Sequence, residues 1–289
     1  MNFHTNGRLV GPRLIALTLC IDLMGCACRE GNPAASPASN PQPSTSANVA
    51  PPVPTANASA AASPPSIQAI VDAGDRSADD RALDNGRHPA ELLKFFDLRP
   101  GMKVAEISSG GGYTTELLAR AVAPNGVVYG QNSKFILERF AEKPWSERLA
   151  KPVMKNVVRV DREFDDPIPP EAKELDAVVD VLFYHDTVWQ KTDRVRMNQS
   201  VFNALRKGGA YFIVDHSGRP GTGTSETQTL HRIEEKVVRD EVLKAGFQLA
   251  AEGDFLRNPA DTRDWNASPR VAGDKRGTSD RFVLKFVKP

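Results

Sequence analysis

Cysteine is confined to the start of this 289-residue chain, where Cys20, Cys26 and Cys28 are the only three. The long remainder therefore cannot be a disulfide-stapled scaffold, a structural zinc site built on cysteine, or an enzyme with a cysteine nucleophile. An excess of charge of one sign is also missing, because the formal net charge is +1. This balance gives no electrostatic case for a nucleic-acid partner.

The apolar stretch near the N-terminus is too short to be a permanent transmembrane helix. It runs from Leu14 to Met24 behind Arg8 and Arg13, whereas spanning a bilayer takes about 20 apolar residues. A positive start, a short apolar segment and small residues after it are typical of an export signal. The end of the segment, Leu23-Met24-Gly25-Cys26, resembles the lipobox of bacterial lipoproteins.

The lipobox resemblance implies cleavage before Cys26 and acylation of that residue, so we expect residues 1–26 to be a lipoprotein-like export signal. The mature protein would then be anchored on the periplasmic face of a bacterial membrane through its lipid. Plain secretion and an uncleaved apolar start are the alternatives.

A stretch without charged residues follows the signal. Residues 32–66 contain nine Pro, ten Ala and seven Ser, and no charge occurs between Glu30 and Asp72. Such a composition cannot bury enough apolar surface to offset the entropy cost of ordering it. We expect residues 27–66 to be a disordered tether that holds a folded domain, residues 67–289, away from a surface.

Residues 67–289 alternate segments with strand and helix patterns. Strands are predicted at 103–107, 127–129, 157–160, 175–183, 210–214, 247–251 and 282–287, and helices at 114–122, 135–149, 193–205 and 229–245. Alternation implies a parallel sheet, because parallel neighbours need crossover connections. We expect an α/β domain with a Rossmann-like, open, mostly parallel seven-stranded sheet, helices on both faces and a C-terminal antiparallel hairpin. Ligands of such sheets bind at the carboxyl ends of the strands.

A glycine-rich loop follows the first predicted strand, with the sequence Glu106-Ile107-Ser108-Ser109-Gly110-Gly111-Gly112-Tyr113. Glycine lets the backbone turn sharply and approach a ligand. A dinucleotide fingerprint would need glycine three residues after Gly112, where Thr115 stands, and the phosphate-binding Gly-Lys-Ser/Thr loop is absent from the sequence. A nicotinamide-dependent oxidoreductase is therefore disfavoured.

The remaining pattern resembles motif I of the class I S-adenosylmethionine-dependent methyltransferases. Glu106, Ser108, Gly110 and Gly112 occupy its positions, and Ser108 replaces the first glycine. More narrowly, the domain is similar to a family of bacterial predicted methyltransferases, several of which carry export signals. The stretches that carry this likeness are Arg87-His88-Pro89, residues 106–115, Val214-Asp215-His216, Leu230-His231-Arg232-Ile233 and Leu256-Arg257-Asn258-Pro259.

The resemblance implies methyl transfer with S-adenosyl-L-methionine as the cofactor and an undefined small-molecule or cell-envelope acceptor. It also implies two further cofactor contacts. Gln131 follows the second strand, where the fold usually places an acid that accepts from the ribose hydroxyls, and an amide lacks the strength of a carboxylate there. Asp161, after the third strand, is the candidate acceptor for the adenine amino group, with an exposed loop acid as the alternative.

Two histidines are the candidate catalytic residues. His185 follows the fourth strand and His216 the fifth, and imidazole suits a base role because its unperturbed pKa is about 6.5. Donors that would ring the same end of the sheet suit an anionic or carbonyl-bearing substrate, and surface ion pairing is the alternative. The candidate substrate-binding residues are Arg87, His88, Tyr184, Arg232, Arg257 and Asn258.

The remaining expectations concern metal, the N-terminal extension and a competing function. No two of the five histidines stand at the close spacing of helical zinc ligands, so no metal is expected. Residues 67–100 are charged and are expected to form a helical lid or an N-terminal extension. The competing hypothesis is an exported, non-catalytic binding protein that retains the fold, because exported compartments are not expected to hold S-adenosylmethionine.

Overall fold

The computed structural model describes residues 65–289. The predicted export signal, Cys26 and nearly all of the tether lie outside these residues. None of the described helices combines the length and apolarity that crossing a membrane requires.

Three short helices precede the first strand: α1 (Ile67–Val71), α2 (Ala78–Arg87) and α3 (Pro89–Phe96). The hydroxyls of Ser66 and Ser77 cap α1 and α2, each by accepting from a backbone N–H of the first turn. His88 joins α2 to α3 with a left-handed backbone (φ 49°), which interrupts the helical run at that residue.

The sheet has seven strands in the order β3-β2-β1-β4-β5-β7-β6. The strands are β1 (Lys103–Ile107), β2 (Val127–Asn132), β3 (Val157–Asp161), β4 (Leu175–Val181), β5 (Leu205–His216), β6 (Gln248–Gly253) and β7 (Arg281–Val287). Strands β1 to β5 are parallel, and β7 pairs antiparallel with both β5 and β6. The predicted fold class, with its antiparallel C-terminal hairpin, is confirmed.

Helices cover both faces of this sheet. They are α4 (Tyr113–Val122), α5 (Lys134–Ile136), which continues through a π-helical turn (Leu137–Ala141) into α6 (Glu142–Leu149), and then α7 (Tyr184–Trp189), α8 (Arg194–Ala204), α9 (Thr227–Leu230) and α10 (Glu235–Lys244). Successive residues of a strand point to opposite faces. Val178 of β4 packs in one apolar cluster and Val179 in another, so the sheet is buried on both sides.

The predicted helix at 229–245 is interrupted between α9 and α10. His231 adopts a left-handed backbone (φ 50°) directly after α9. Ile233 is fully buried, its N–H donates to the carbonyl of His216, and its own carbonyl accepts from Gly218. Burial of Ile233 and this backbone pairing beside the end of β5 outweigh helical propensity, which is a weak preference. The interruption places His231 at the carboxyl end of the sheet.

Candidate functional site

A cavity of about 660 Å³ opens at the carboxyl ends of β1, β4 and β5. This volume lies within the range of about 300–1,000 Å³ that is typical of small-molecule sites. Its walls come from α2, the glycine loop after β1, the segment after β4 and the loop around Pro269. His216, His231 and residues of the α5–α6 segment, among them Phe140 and Arg148, also line it. The parallel sheet thus presents its pocket where the topology predicts one.

The glycine loop forms one wall, and its glycines serve different purposes. Gly110 lines the cavity with φ 54°, and no atom lies within 4 Å of the place where a Cβ would be. Gly112 does not line the cavity, and a Cβ there would lie 2.6 Å from Arg148 Cδ and 2.7 Å from the Trp145 ring. Gly112, expected at the cofactor, is therefore required for packing of α6 against the loop.

Two amide side chains at the end of β2 hold the glycine loop in place. Gln131 Oε1 accepts from the backbone N–H of Ser108 at 3.0 Å, and its Nε2 donates to the carbonyl of Arg162. Asn132 Oδ1 accepts from the N–H of Gly110 at 2.8 Å. Gln131 is buried, is not among the cavity-lining residues and has both functional groups engaged, which corrects the expectation that it contacts the ribose.

Glu106 lies at the end of β1, where it is buried and lines the cavity. The hydroxyl of Thr115 donates to its Oε2. Burial disfavours the charged form and raises the pKa of Glu106 to about 7, against the opposing effect of the Thr115 hydrogen bond. The carboxyl group therefore titrates near neutral pH inside the cavity.

Asp161 lies away from the cavity at the end of β3. Its carboxylate accepts from Arg159 Nε at 2.8 Å, because residues two apart on a strand share a face. Asp161 is exposed. The structure therefore supports the alternative for Asp161, an exposed acid, and corrects its assignment to the adenine.

His185 joins the ends of β4 and β5. Its Nδ1 lies 2.7 Å from Asp215 Oδ1, and its backbone N–H donates to Asp215 Oδ2 at 2.7 Å. On the other edge of the ring, Nε2 lies 3.1 Å from His231 Nδ1 and 3.1 Å from Asp186 Oδ1. Burial opposes a charge on the ring, but the carboxylates of Asp215 and Asp186 outweigh it and raise the pKa of His185 well above its usual value.

His216, the last residue of β5, lines the same cavity. Its Nδ1 lies 2.7 Å from Ser279 Oγ, and no other side chain of the described residues hydrogen-bonds the ring. Burial, with the nearby charge of His185 as the second cause, lowers the pKa of His216 well below its usual value. The two candidate catalytic histidines thus share the cavity in opposite electrostatic environments.

The described residues contain a set of side chains that could hold a metal ion. His185, Asp186 and His231 each offer one ligand atom, and these atoms lie within 4.8 Å of one another. All three residues line the cavity. No close spacing marks them along the chain, because His231 reaches the other two only through the break between α9 and α10. The spacing of histidines along the chain is therefore not a sufficient reason to expect that no metal binds.

Two predicted substrate-binding residues are buried structural residues. Tyr184 is fully buried, and its hydroxyl donates to Glu241 Oε2 at 2.8 Å and accepts from Asn198. Arg232 is fully buried, with Nη1 2.9 Å from Asp261 Oδ2 and its guanidinium over the Trp265 ring. Neither lines the cavity, which corrects their assignment.

Three further candidates also lie away from the cavity. Arg257 donates to Glu235 and to the hydroxyl of Ser217. Asn258 donates to the carbonyl of Thr278. His88 forms the turn between α2 and α3. These residues have structural roles, so their assignment as substrate-binding residues is corrected as well.

Arg87 is the predicted substrate-binding residue that lines the cavity. Its guanidinium lies 4.4 Å from the centre of the Tyr113 ring, and burial lowers the pKa of Arg87. No carboxylate among the described residues forms a salt bridge with it.

A second cavity of about 480 Å³ adjoins the first and shares Arg87, Leu182 and His216 with it. Arg276 and Arg281 also line this chamber. Arg281 is 4% exposed and donates to the backbone carbonyls of Ser279 and Gly277. Burial lowers the pKa of Arg281 to about 10, with the charge of Arg87 as the next cause, so the guanidinium stays protonated at neutral pH.

Comparisons with known proteins agree with this architecture. The family model of the protein-L-isoaspartate(D-aspartate) O-methyltransferases matches residues 81–157, which run from α2 through the glycine loop to the start of β3. A solved S-adenosylmethionine-dependent methyltransferase from Aquifex aeolicus superposes with a TM-score of 0.50 at 16% identity, over 73% of this chain and 98% of that one. The chain has the class I S-adenosylmethionine-dependent methyltransferase fold. The fold that the glycine-loop resemblance implied is confirmed.

A second solved structure gives the same result. A protein from Galdieria sulphuraria assigned as a sarcosine dimethylglycine methyltransferase superposes with a TM-score of 0.50 at 17% identity, over 75% of this chain and 89% of that one. No curated protein matches by sequence. The family model and these neighbours support S-adenosyl-L-methionine as the cofactor and leave the acceptor open.

Proposed function

We propose that this methyltransferase-fold protein binds S-adenosyl-L-methionine along Ser108–Gly111 and transfers its methyl group to a small anionic acceptor. The observation that carries the proposal is the continuity of the site. The glycine loop, Glu106 and the histidines at the ends of β4 and β5 line a single cavity, and an arginine-lined chamber adjoins it.

The loop fits a ligand that lies close to the backbone. Gly110 leaves open space on the cavity side, and Asn132 fixes its peptide from behind. S-adenosyl-L-methionine supplies an electrophilic methyl group on a positively charged sulfur. Glu106, which lines the same cavity, would favour a cationic ligand by Coulomb attraction once ionised.

The acceptor side of the site is positively charged. Arg87, Arg276 and Arg281 line the adjoining chamber, and the salt bridges of the described residues include none of the three. Arg281 is buried and Arg87 half-buried, whereas Arg276 is exposed, and the exposed acid Asp79 lines the chamber with them. Leaving a buried cation without a counter-charge is costly, so an anionic group on the ligand would stabilise Arg281. A carboxylate or phosphate group matches the planar fork of a guanidinium.

His216 lies where the two cavities meet. Ser279 engages its Nδ1 at 2.7 Å, so Nε2 is the ring atom available to an acceptor. An acceptor seated among the arginines would present its nucleophilic atom to this histidine and to the methyl group. His216 would then hold the acceptor or take its proton, the two roles that positioned histidines serve in group transfer.

The location of the mature protein is part of the proposal. The lipobox-like residues ending in Cys26 and the charge-free stretch after them support export, acylation and attachment to the periplasmic face of a bacterial membrane. The acceptor would then be a small molecule or an envelope component within reach of the tethered domain.

Calorimetric titration of the purified full chain tests the cofactor assignment. We expect S-adenosylhomocysteine to bind at one site per chain and NAD to give no heat of binding. Binding of NAD alone would contradict the proposal in favour of an oxidoreductase. No binding of either ligand would favour the exported, non-catalytic binding protein, in which Ser108 and Gln131 mark a lost cofactor site.

A further inference from the structure

We propose that His185, Asp186 and His231 form a binding site for one divalent transition-metal ion of the zinc class. His185 Nε2 lies 3.1 Å from His231 Nδ1 and 3.1 Å from Asp186 Oδ1, and His231 Nδ1 lies 3.2 Å from Asp186 Oδ1. Ligand atoms about 2.0–2.1 Å from a common ion stand roughly 2.8–3.4 Å apart, from octahedral to tetrahedral geometry. The three atoms therefore already have the spacing of a coordination sphere.

Hydrogen bonding alone accounts poorly for this triangle. Trp189 Nε1 donates to Asp186 Oδ1 at 2.7 Å, as expected for an ionised carboxylate. If both imidazole nitrogens carried protons, two donors would face each other at 3.1 Å. If one were bare, its lone pair would face the carboxylate oxygen. An ion at the centre removes the conflict, because all three atoms then share a partner that accepts their lone pairs.

The residues behind the triangle orient His185 as a ligand. Asp215 Oδ1 lies 2.7 Å from His185 Nδ1 and accepts its proton, so an ion would displace the proton on Nε2, the ring atom beside His231 and Asp186. A carboxylate that orients a histidine in this way is the usual outer partner of a metal-bound imidazole. Asp215 is itself fully buried and fixed by the backbone N–H groups of His185 and His216.

The backbone at His231 brings its ring to His185. This residue interrupts what the sequence predicts as a continuous helix, and its φ is 50°. The result is a ring whose centre lies 5.2 Å from that of His185.

The chemistry of the ligands selects the class of ion. Two imidazole nitrogens and one carboxylate oxygen suit Zn²⁺, Fe²⁺ or Co²⁺, whereas Mg²⁺ and Ca²⁺ prefer oxygen ligands alone. Three protein ligands leave at least one position free, and all three residues line the cavity. If the proposed function holds, an oxygen, nitrogen or sulfur atom of the methyl acceptor would bind the ion at the free position, and the ion would lower the pKa of that atom. Metal binding itself does not depend on that role.

The test is the stoichiometry of zinc binding to the full chain after treatment with a chelator. His231→Ala is compared with wild type and with His88→Ala, a matched control because His88 is also a left-handed histidine (φ 49°) and lies outside the cavity. Cys20, Cys26, Cys28 and His4 could also bind zinc in the full chain. The informative quantity is therefore the difference in zinc stoichiometry between wild type and His231→Ala. Wild type and His88→Ala should each bind one more Zn²⁺ per chain than His231→Ala.

A second variant and a second signal sharpen the test. Asp215→Asn should weaken zinc binding about 10- to 100-fold. Co²⁺ bound to wild type should give a visible absorption spectrum that His231→Ala lacks. Equal zinc stoichiometry in folded wild type and His231→Ala would overturn the proposal. Asp186→Asn replaces His231→Ala if the latter fails to fold, and S-adenosylhomocysteine binding by either variant reports on the cofactor site separately.

Discussion

The imidazole of His185 is fixed by Asp215, whose Oδ1 lies 2.7 Å from His185 Nδ1. The pair spans the carboxyl ends of the adjacent strands β4 and β5, and the same carboxylate also accepts from the backbone N–H groups of His185 and His216. One buried acid therefore sets the position of both candidate catalytic histidines. Asp215 stands directly before His216 in the chain, yet its side chain orients His185 in α7, which follows the neighbouring strand β4, because adjacent residues at a strand end point in opposite directions.

Asp215→Asn should destabilise the folded protein. Asparagine offers one acceptor oxygen and one donor group in place of two acceptors, so an N–H that Asp215 now accepts would face another donor. We expect the free energy of unfolding to fall by about 1–3 kcal/mol, the cost of an unsatisfied buried group. Urea denaturation measures this change. Asp97→Asn, at a side chain that is 66% exposed, is the control, and equal stability of the two variants would contradict the assigned role.

Glu106 should make stability depend on pH. Its pKa is about 7 in the folded protein, against 4.5 for an unperturbed glutamate, so the protonated carboxyl is the form that the fold favours. This stabilisation is fully present at a pH below the pKa of Glu106 in the unfolded chain. It is lost as the pH rises through the pKa of Glu106 in the folded protein. The difference between 4.5 and about 7 corresponds to about 3 kcal/mol lost by pH 8.

Glu106→Gln should remove this pH dependence, because an amide does not titrate. Denaturation of wild type and Glu106→Gln at pH 4.5, 6 and 8 gives the difference between the two proteins, in which other titrating groups cancel. The variant should gain relative stability as the pH rises. A difference that stays constant over this range would show that Glu106 is not held in an unfavourable environment.

The fold was largely predictable because strand and helix patterns are local. The apolar run at 175–183 and the glycine turn after β1 were visible in the sequence, and β4 and β1 lie there. The interruption between α9 and α10 was not predictable, since it depends on pairing of Ile233 with the end of β5. That single break determines whether His231 joins His185.

Site residues were predictable only as far as topology alone determines them. Glu106 and His216 lie at the ends of β1 and β5, Gly110 and His185 lie in the segments that follow β1 and β4, and all four line the cavity. Gln131 also lies near the end of a strand, but its amide oxygen accepts from the backbone N–H of Ser108. Arg276 lies before β7 in a segment with neither helical nor strand periodicity, and Arg281 is the first residue of β7, just outside the strand that the sequence predicts. Residues of this kind reach the cavity through tertiary contacts, which the local sequence pattern does not predict.

Arg281 should be needed for anion binding in the chamber beside His216. Inorganic phosphate is the probe, and it should raise the melting temperature of wild type more than sodium chloride of equal ionic strength. In Arg281→Met the concentration of phosphate that gives half of this shift should rise about 10- to 100-fold, because one charge-assisted hydrogen bond contributes about 1.5–3 kcal/mol.

The control for the arginine variant is Arg99→Met, at a side chain that is 70% exposed. This variant should respond to phosphate as wild type does. An unchanged phosphate response in Arg281→Met would place the anion elsewhere and would remove the chamber from the proposed acceptor site.

Cys26→Ser should release the protein from the membrane. If acyl chains on Cys26 anchor the mature chain, removing the sulfur prevents their attachment and leaves the tether free. Fractionation of cells that express each form measures the partition. Wild type should sediment with membranes and Cys26→Ser should not, with Cys28→Ser as the control that stays membrane-bound. Identical partition of wild type and Cys26→Ser into the soluble fraction would exclude the lipid anchor.

The proposed function depends most on the cofactor lying against Gly110, and the affinity for S-adenosylhomocysteine tests this placement. Gly110→Asn adds a side chain on the cavity side of the loop, and asparagine tolerates a left-handed backbone. Gly273→Asn is the matched control, because Gly273 has φ 53° against 54° for Gly110, equally open space and no place in the cavity lining.

Calorimetry on wild type and the two variants is the decisive measurement. We predict that Gly110→Asn weakens S-adenosylhomocysteine binding by at least about tenfold, or about 1.4 kcal/mol, while Gly273→Asn binds as wild type does. Wild-type affinity in a folded Gly110→Asn protein would contradict the proposal, because the glycine loop would then be a structural turn and not a cofactor site.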